Sequence, residues 1–411
     1  MEDIKPLLSA HYHACQAQDW DKAATAISEV YEYLRTWSYF DLILDLYNEL
    51  LPQDWKNGRQ LVTSLHVHSD ILFRLGTTCE ALGRRQVANE YLQESLSVAR
   101  KLGDKKQEAN VLSFIGLNYE TMGEFEQALN YLEKAKTLVQ SEIDDYKIQY
   151  RTISQLGLTY CGLGHYHKAI ELFQQALKLA RKHDYRQGEA AALGNLGDAY
   201  IKIKQHKLAI EYSQNYLAIA RGINNPKSHN FALAILAQAY NSIAETDHRF
   251  DYYEEAIKLS EECLKVGREI RHSPTESWSL RNLGIAYRGI KDYQKSINCL
   301  NKALEVASMS NAKNKEGEAF YQLGITYREL EDFEKSITNL QKSLLIFQDV
   351  SNRANTAMAL LELAKSSSKS NTVPRETIQN YLNQAEFIFH ELQLPFWTEV
   401  NQIKSDDNMF R

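Results

Sequence analysis

Apolar residues return every three or four positions through most of the chain, interrupted at regular intervals by short polar breaks such as MGEFEQ, LGHYHK, IKDYQK and LEDFEK. Each break separates an apolar-periodic stretch of about fifteen residues from one of about eighteen, which predicts two antiparallel helices joined by a tight connection. No segment shows the period of two that a half-buried strand needs. The pattern therefore predicts an all-α fold.

The hairpins repeat. Aligned on the small residue of an LG-like pair, the copies fall at Gly76, Gly116, Gly157, Gly197, Ala237, Gly284, Gly324 and Ala364, with spacings of 40, 41, 40, 40, 47, 40 and 40. Three residues further on stand Tyr119, Tyr160, Tyr200, Tyr240, Tyr287 and Tyr327, with Cys79 in the first copy. Twelve residues on come Ala88, Ala128, Ala169, Ala209, Ser296 and Ser336. Small residues at fixed depths let two helix backbones approach, and the aromatic after the break (Phe125, Tyr166, Tyr293, Phe333) closes the hairpin end.

The order L-G-x-x-Y, then A, then F or L, then A, resembles the tetratricopeptide repeat over residues 61–350. The resemblance implies a right-handed α-solenoid of seven to eight helix hairpins with helical caps. Units near 40 residues exceed the common repeat of about 34. This long form is similar to kinesin light chains, to Partner of Inscuteable type adaptors and to the repeat arms of bacterial signalling ATPases of the STAND type, all of which bind protein or peptide through the array.

Residues 1–60 read as a degenerate repeat and capping helix, keeping Trp20 and Ala23 or Ala24 but lacking the LG pair. Residues 351–411 read as a degenerate final repeat, interrupted by SSSKSNTVPRE, and a C-terminal cap. The fifth repeat carries a seven-residue insertion near 245–251, placed in the break between its helices and expected to project as a longer connection. No G-x-x-x-x-G-K-[ST] motif occurs, so no ATPase accompanies the array here.

Composition narrows the function classes. Only six prolines and eighteen glycines occur in 411 residues, as expected where turns are few and short. The net charge of −6 is spread evenly, which argues against nucleic acid and against a polybasic membrane patch. Five scattered cysteines without a C-x-x-C pair point to a reducing compartment, and the lack of a signal-like or spanning apolar run points to the cytoplasm.

Catalytic and metal motifs are weak. GNLG at 194–197 lies within a helical stretch, not between a strand and a helix where a phosphate loop must sit. The pairs His11/His13 and His66/His68 are two apart on helices, so their side chains diverge by about 200° and cannot share an ion, whereas His165/His167 fall at a break and could, but lack Asp, Glu or Cys partners nearby in sequence. No enzyme activity, cofactor or metal is expected.

The resemblance places the first helix of each hairpin on the concave surface. Helical geometry then sets the stripe at offsets −6, −3, −2, +1, +4 and +5 from the small residue. It selects Arg151 and Gln155; Gly194, Asn195 and Lys202; Asn241; Trp278, Arg281, Asn282 and Arg288; and Tyr321, Gln322 and Arg328. In the resembling adaptors an asparagine at the place of Asn195 and Asn282 pairs with a peptide backbone; the alternative is a bond to the next repeat. Gly194 is expected to leave room for that backbone. The arginines favour a carboxylate ligand unless Glu318 or Glu329 already pairs with them, and Trp278 is either a groove anchor or a plug at the irregular fifth repeat.

The expected function is a non-enzymatic adaptor that binds an extended, acidic peptide segment of a partner protein in the concave groove. Two alternatives stand beside it: a ligand-gated regulator resembling bacterial peptide-pheromone receptors or response-regulator phosphatases, and a structural assembly factor.

Overall fold

The computed structural model describes residues 4–405, apart from 38, 57–59, 224, 271, 311 and 371. Among the described residues there are twenty helices and no strand. The chain divides into two compact units, Met1–Leu156 and Gly157–Arg411, with the division inside one helix.

The first unit holds α1 (Lys5–Gln16), α2 (Trp20–Thr36), α3 (Phe40–Asn48), α4 (Leu65–Ala81), α5 (Arg85–Leu102), α6 (Lys105–Thr121), α7 (Phe125–Ser141) and the beginning of α8 (Tyr146–Gly162). The degenerate N-terminal repeat is sealed against the first regular hairpin by one core that runs from Ile27, Leu34 and Ile43 to Leu72 and Leu75. Arg74 lies there against an edge-to-face pair of rings, 4.6 Å from the Tyr31 ring centre and 5.7 Å from that of Tyr47. A guanidinium suits this place because it stacks on rings while its N–H groups still donate, here to the Tyr47 hydroxyl at 2.5 Å.

The second unit takes the rest of α8 and then α9 (Tyr166–Lys182), α10 (Arg186–Lys202), α11 (His206–Gly222), α12 (Pro226–Asp247), α13 (Phe250–Glu269) and α14 (Ser273–Gly289). It continues through α15 (Tyr293–Met309), α16 (Lys313–Glu329), α17 (Phe333–Asp349), α18 (Arg353–Ser370), α19 (Arg375–Glu391) and α20 (Trp397–Ser405). Consecutive helices pack as hairpins, and the first helices also stack on one another in the order α10, α12, α14, α16, α18. This is an α-solenoid.

The polar breaks end one helix and start the next within three residues. In IKDYQK and LEDFEK, Lys291 and Glu331 take positive φ, and Asp292 and Asp332 then cap the following helix, each accepting from the backbone N–H three residues on at 3.1 Å. The small residue exists to admit a large one sixteen positions later. A Cβ added to Gly284 or Gly324 would stand 2.5 Å from the side chain of Leu300 or Leu340. Where serine replaces alanine at offset +12, it adds a bond to the carbonyl of the small residue: Ser296 donates to Gly284 O at 2.7 Å and Ser336 to Gly324 O at 2.8 Å.

Two expectations need correction. The fifth-repeat insertion does not project as a loop: α12 runs 22 residues and α13 runs 20, against 17 in the hairpin α14–α15, and only residues 248–249 lie between them. Nothing in NSIAETDHRFDYYEEAI stops a helix early, so propagation absorbs the extra residues. Likewise, the first half of SSSKSNTVPRE is helical to Ser370, and Ser366 Oγ bonds Ser336 Oγ at 2.8 Å.

The end of the second unit returns to its beginning. Gly164, with φ +85°, has Leu392 2.7 Å and Ala354 3.2 Å from where a Cβ would sit, so glycine is required there both by backbone conformation and by crowding. The Lys204 ammonium lies 4.3 Å from the centre of the Phe396 ring. No helix among the described residues is long and apolar enough to cross a membrane.

Candidate ligand-binding lumen

The stacked first helices and the returning C-terminal segment enclose a cavity of about 240 Å³ in the second unit. Its wall is built from one stripe per helix: Ile201 and Lys202 on α10, Gln238, Asn241 and Glu245 on α12, Arg281 and Arg288 on α14, Glu318, Tyr321 and Gln322 on α16, and Asn355 and Met358 on α18. Tyr166, Lys204, Leu394 and Phe396 also line it, together with the apolar Ile285, Ile325, Phe347 and Ala354.

Two polar ladders cross the repeats and fix the wall. In the first, Gln238 Oε1 accepts from Trp278 Nε1 at 2.7 Å and from Arg281 at 2.8 Å, and Arg281 also pairs with Glu318, which Lys315 approaches at 3.2 Å. In the second, Arg288 donates to Gln322 at 2.7 Å and to Glu245 at 2.5 Å, with Glu329 at 3.4 Å. A residue contributed by each repeat thus bridges to the next, which holds the hairpins at a set spacing.

Burial shapes the protonation of these groups. Burial by itself would push the Glu318 carboxyl up, but Arg281, Lys315 and Lys202 outweigh it and hold the pKa at about 2. The Lys315 ammonium is pushed below its ordinary value, first by burial and then by Arg281 and Lys202. Burial raises Tyr321, which stays a phenol able to donate into the cavity.

The structure brings six of the expected residues to the lumen: Lys202, Asn241, Arg281, Arg288, Tyr321 and Gln322. The others lie elsewhere. Arg151 and Gln155 belong to the first unit, where Arg151 pairs with Asn110 and stacks 4.7 Å from the Phe114 ring centre. Asn195 is half-buried and outside the lining. Arg328 pairs with Glu362 at 3.0 Å.

Three site expectations are corrected. Gly194 opens no space for a peptide backbone, because a Cβ there would stand 2.8 Å from the Tyr216 ring, so its smallness serves the hairpin core. Asn282 is fully buried and donates to Ala234 O at 2.9 Å, the bond to a neighbouring repeat that was the alternative; Asn241 does the same to Asn282 O at 2.9 Å while still reaching the cavity. Trp278 lies outside the lining and serves the first ladder, with Lys315 4.9 Å from its ring centre. Arg281 and Arg288 reach the lumen already paired with carboxylates, so they are not free cations waiting for one.

Sequence reasoning missed Glu245, Lys204, Leu394 and Phe396. Glu245 stands eight residues after Ala237, one turn beyond the stripe considered, and only the extra length of α12 keeps it helical. Leu394 and Phe396 carry no local signal because they reach the cavity by closure of the chain.

A tetratricopeptide repeat profile matches residues 68–141, 149–222, 235–309 and 317–349. No curated protein matches the sequence. Among solved structures, a Rap protein complexed with competence and sporulation factor superposes with a TM-score of 0.66 at 14% identity, covering 96% of this chain and 99% of that one. The apo form of the quorum sensor NprR from B. thuringiensis gives 0.58 at 16% identity, over 94% and 99% of the chains. Aspartyl phosphate phosphatase F from Bacillus subtilis gives 0.54 at 14% identity, over 94% and 93%. At these identities the likeness establishes the fold alone.

Proposed function

The chain belongs to the tetratricopeptide repeat family, and from that premise we propose that it is a non-enzymatic, cytoplasmic binding protein whose lumen receives an extended, acidic peptide segment of a partner. The observation that carries this reading is the lining. Four cations, Lys202, Lys204, Arg281 and Arg288, face two carboxylates, Glu245 and Glu318, so positive charge is in surplus. Beside them stand the primary amides of Gln238, Asn241, Gln322 and Asn355, groups that match the donor and acceptor of a peptide unit. With Arg281 and Arg288 committed to the ladders, Lys202 and Lys204 are the residues for the ligand carboxylates.

The volume also speaks for a chain segment. Ordinary ligand pockets span about 300–1,000 Å³, and this cavity, at about 240 Å³, falls below that range and is too narrow for a folded element. Affinity then comes from several modest contacts on a preformed wall.

Titration of fluorescent Asp- and Glu-containing peptides, read by anisotropy, tests the proposal. A charge-assisted hydrogen bond is worth about 1.5–3 kcal/mol, so K202A with K204A lowers the affinity by more than about tenfold. Equal binding of peptides with Lys in place of Asp and Glu, or affinity unmoved in the double variant, would refute it.

A second reading, a ligand-gated regulator, draws on a separate observation. The C-terminal segment packs back beside Gly164 through Leu392, and the contact of Lys204 with Phe396 closes the lumen with two residues that also border it. A ligand touching Lys204 or Phe396 bears directly on that closure. The Rap structure holding competence and sporulation factor suits this reading. Ligand that slows amide exchange in α19 and α20 supports gating; exchange that is unchanged at saturation rejects it.

A further inference from the structure

The other end of the chain holds a cluster that the lumen does not involve. His11 and Cys15 stand four residues apart on α1, one turn above the other on the same face, and Glu49 follows the last residue of α3. Their ligand atoms converge: His11 Nε2 lies 3.2 Å from Glu49 Oε2 and 3.6 Å from Cys15 Sγ, and all three atoms lie within 4.8 Å of one another.

The backbone fixes the imidazole. His11 is 1% exposed, and its Nδ1 faces the carbonyl of Ala23 at 3.0 Å. A carbonyl only accepts, so Nδ1 carries the hydrogen, and in the neutral ring the lone pair of Nε2 points at the other two groups. A backbone carbonyl orienting a histidine in this way is the usual outer support of a metal ligand. The arrangement does not suit a nucleophile relay, in which the thiol and the carboxylate would use opposite ring nitrogens. Here both face the same one.

The geometry points to a binding site for a zinc-class divalent ion on His11 Nε2, Cys15 Sγ and Glu49 Oε2. Bond lengths of about 2.0–2.1 Å to nitrogen and oxygen and about 2.3 Å to sulfur, at a tetrahedral angle, demand N···O of about 3.3 Å and N···S of about 3.6 Å. The separations of His11 Nε2 from Glu49 Oε2 and from Cys15 Sγ match, and Cys15 Sγ lies within 4.8 Å of Glu49 Oε2, near enough for a rotation of the exposed carboxylate to complete the set. A thiolate with an imidazole selects a borderline transition ion over magnesium or calcium, which take oxygen ligands. Binding replaces the thiol hydrogen of Cys15, which leaves as a proton to solvent. The Glu49 side chain is 54% exposed, so the fourth coordination position opens to water and the ion has a route in. Once held, the ion ties α1 to the end of α3. The site has no local sequence signature, because Glu49 lies 38 residues from His11 and joins the i, i+4 pair only through the fold.

The test uses the whole chain, stripped of metal by a chelator and titrated with Co²⁺ alone as the spectroscopic probe, then with Zn²⁺. The expected result is one equivalent bound, with a thiolate-to-cobalt charge-transfer band and tetrahedral visible bands that Zn²⁺ abolishes. Addition of Zn²⁺ slows amide exchange in α1. Cys15→Ser removes the charge-transfer band, and Glu49→Gln, a change at an exposed side chain that leaves the fold intact by circular dichroism, weakens binding by more than about tenfold. His13→Asn, next to the site but outside it, binds as the parent does. Absence of the band at one equivalent, a band that survives Cys15→Ser, or affinity unmoved by Glu49→Gln overturns the proposal.

Discussion

Replacing Glu318 by glutamine tests the account of the lumen wall. The carboxylate is 14% exposed and the guanidinium of Arg281 10%, with the Lys315 ammonium 3.2 Å away. The carboxyl is held at about 2 against an ordinary 4.5, and at 1.36 kcal/mol per pH unit that gap corresponds to about 3 kcal/mol of stability at neutral pH. Because the folded value is depressed, the contribution is complete above pH 4.5 and is lost as the pH falls toward 2. Glutamine keeps the shape but leaves two buried cations facing each other, a loss of about 3–5 kcal/mol for breaking a buried pair. Urea unfolding of parent and variant at pH 7 and at pH 2.5, followed by amide exchange in α14 and α16, gives the comparison. Local exchange is needed because a repeat array need not unfold in one step. E318Q within about 0.5 kcal/mol of the parent at pH 7, or an equal difference at both pH values, would refute the ladder as a source of stability.

Other sites make sharper contrasts. Gly289→Ala drives a methyl into the Tyr253 ring and should destabilise by about 1–3 kcal/mol or more, whereas Gly222→Ala, with nothing within 4 Å of the new Cβ, should stabilise by about 0.4–1 kcal/mol; thermal melts of both decide. Asn282→Ala removes a buried bond between repeats and should cost about 1–3 kcal/mol in urea unfolding while leaving peptide affinity in the lumen unchanged. Phe396→Ala removes the ring under Lys204 and part of the lining, so amide exchange in α20 should quicken and a lumen ligand should dissociate faster by stopped flow.

The repeat architecture was legible because its cause is local and recurs. A glycine at one depth and a leucine sixteen residues on, as in Gly284 with Leu300 and Gly324 with Leu340, are complementary halves of the same packing. The stripe was legible in part. Helical phase placed Lys202, Arg281, Arg288 and Gln322 on the inner wall, since the angle between residues on a helix is fixed. Phase could not say that Gly194 meets Tyr216 or that Asn282 meets Ala234 O, because both depend on how deep the neighbouring helices sit. Nor could it tell a free arginine from a paired one, since Arg281 and Glu318 are 37 residues apart.

The sequence by itself determined an array of helix hairpins and the helical phase that carries Lys202, Arg281, Arg288 and Gln322 to the inner wall. These follow from periodicity, from small residues at fixed depths and from capping residues, all of them short-range. Tertiary structure alone decided that the second unit closes on itself through Gly164, Leu392 and Phe396, that its arginines are neutralised between repeats, and that His11, Cys15 and Glu49 meet. The closure and the arginine pairs join residues distant in the chain, as Glu49 is from His11 and Cys15, and such meetings depend on how successive hairpins pack on one another, which is written in no single repeat.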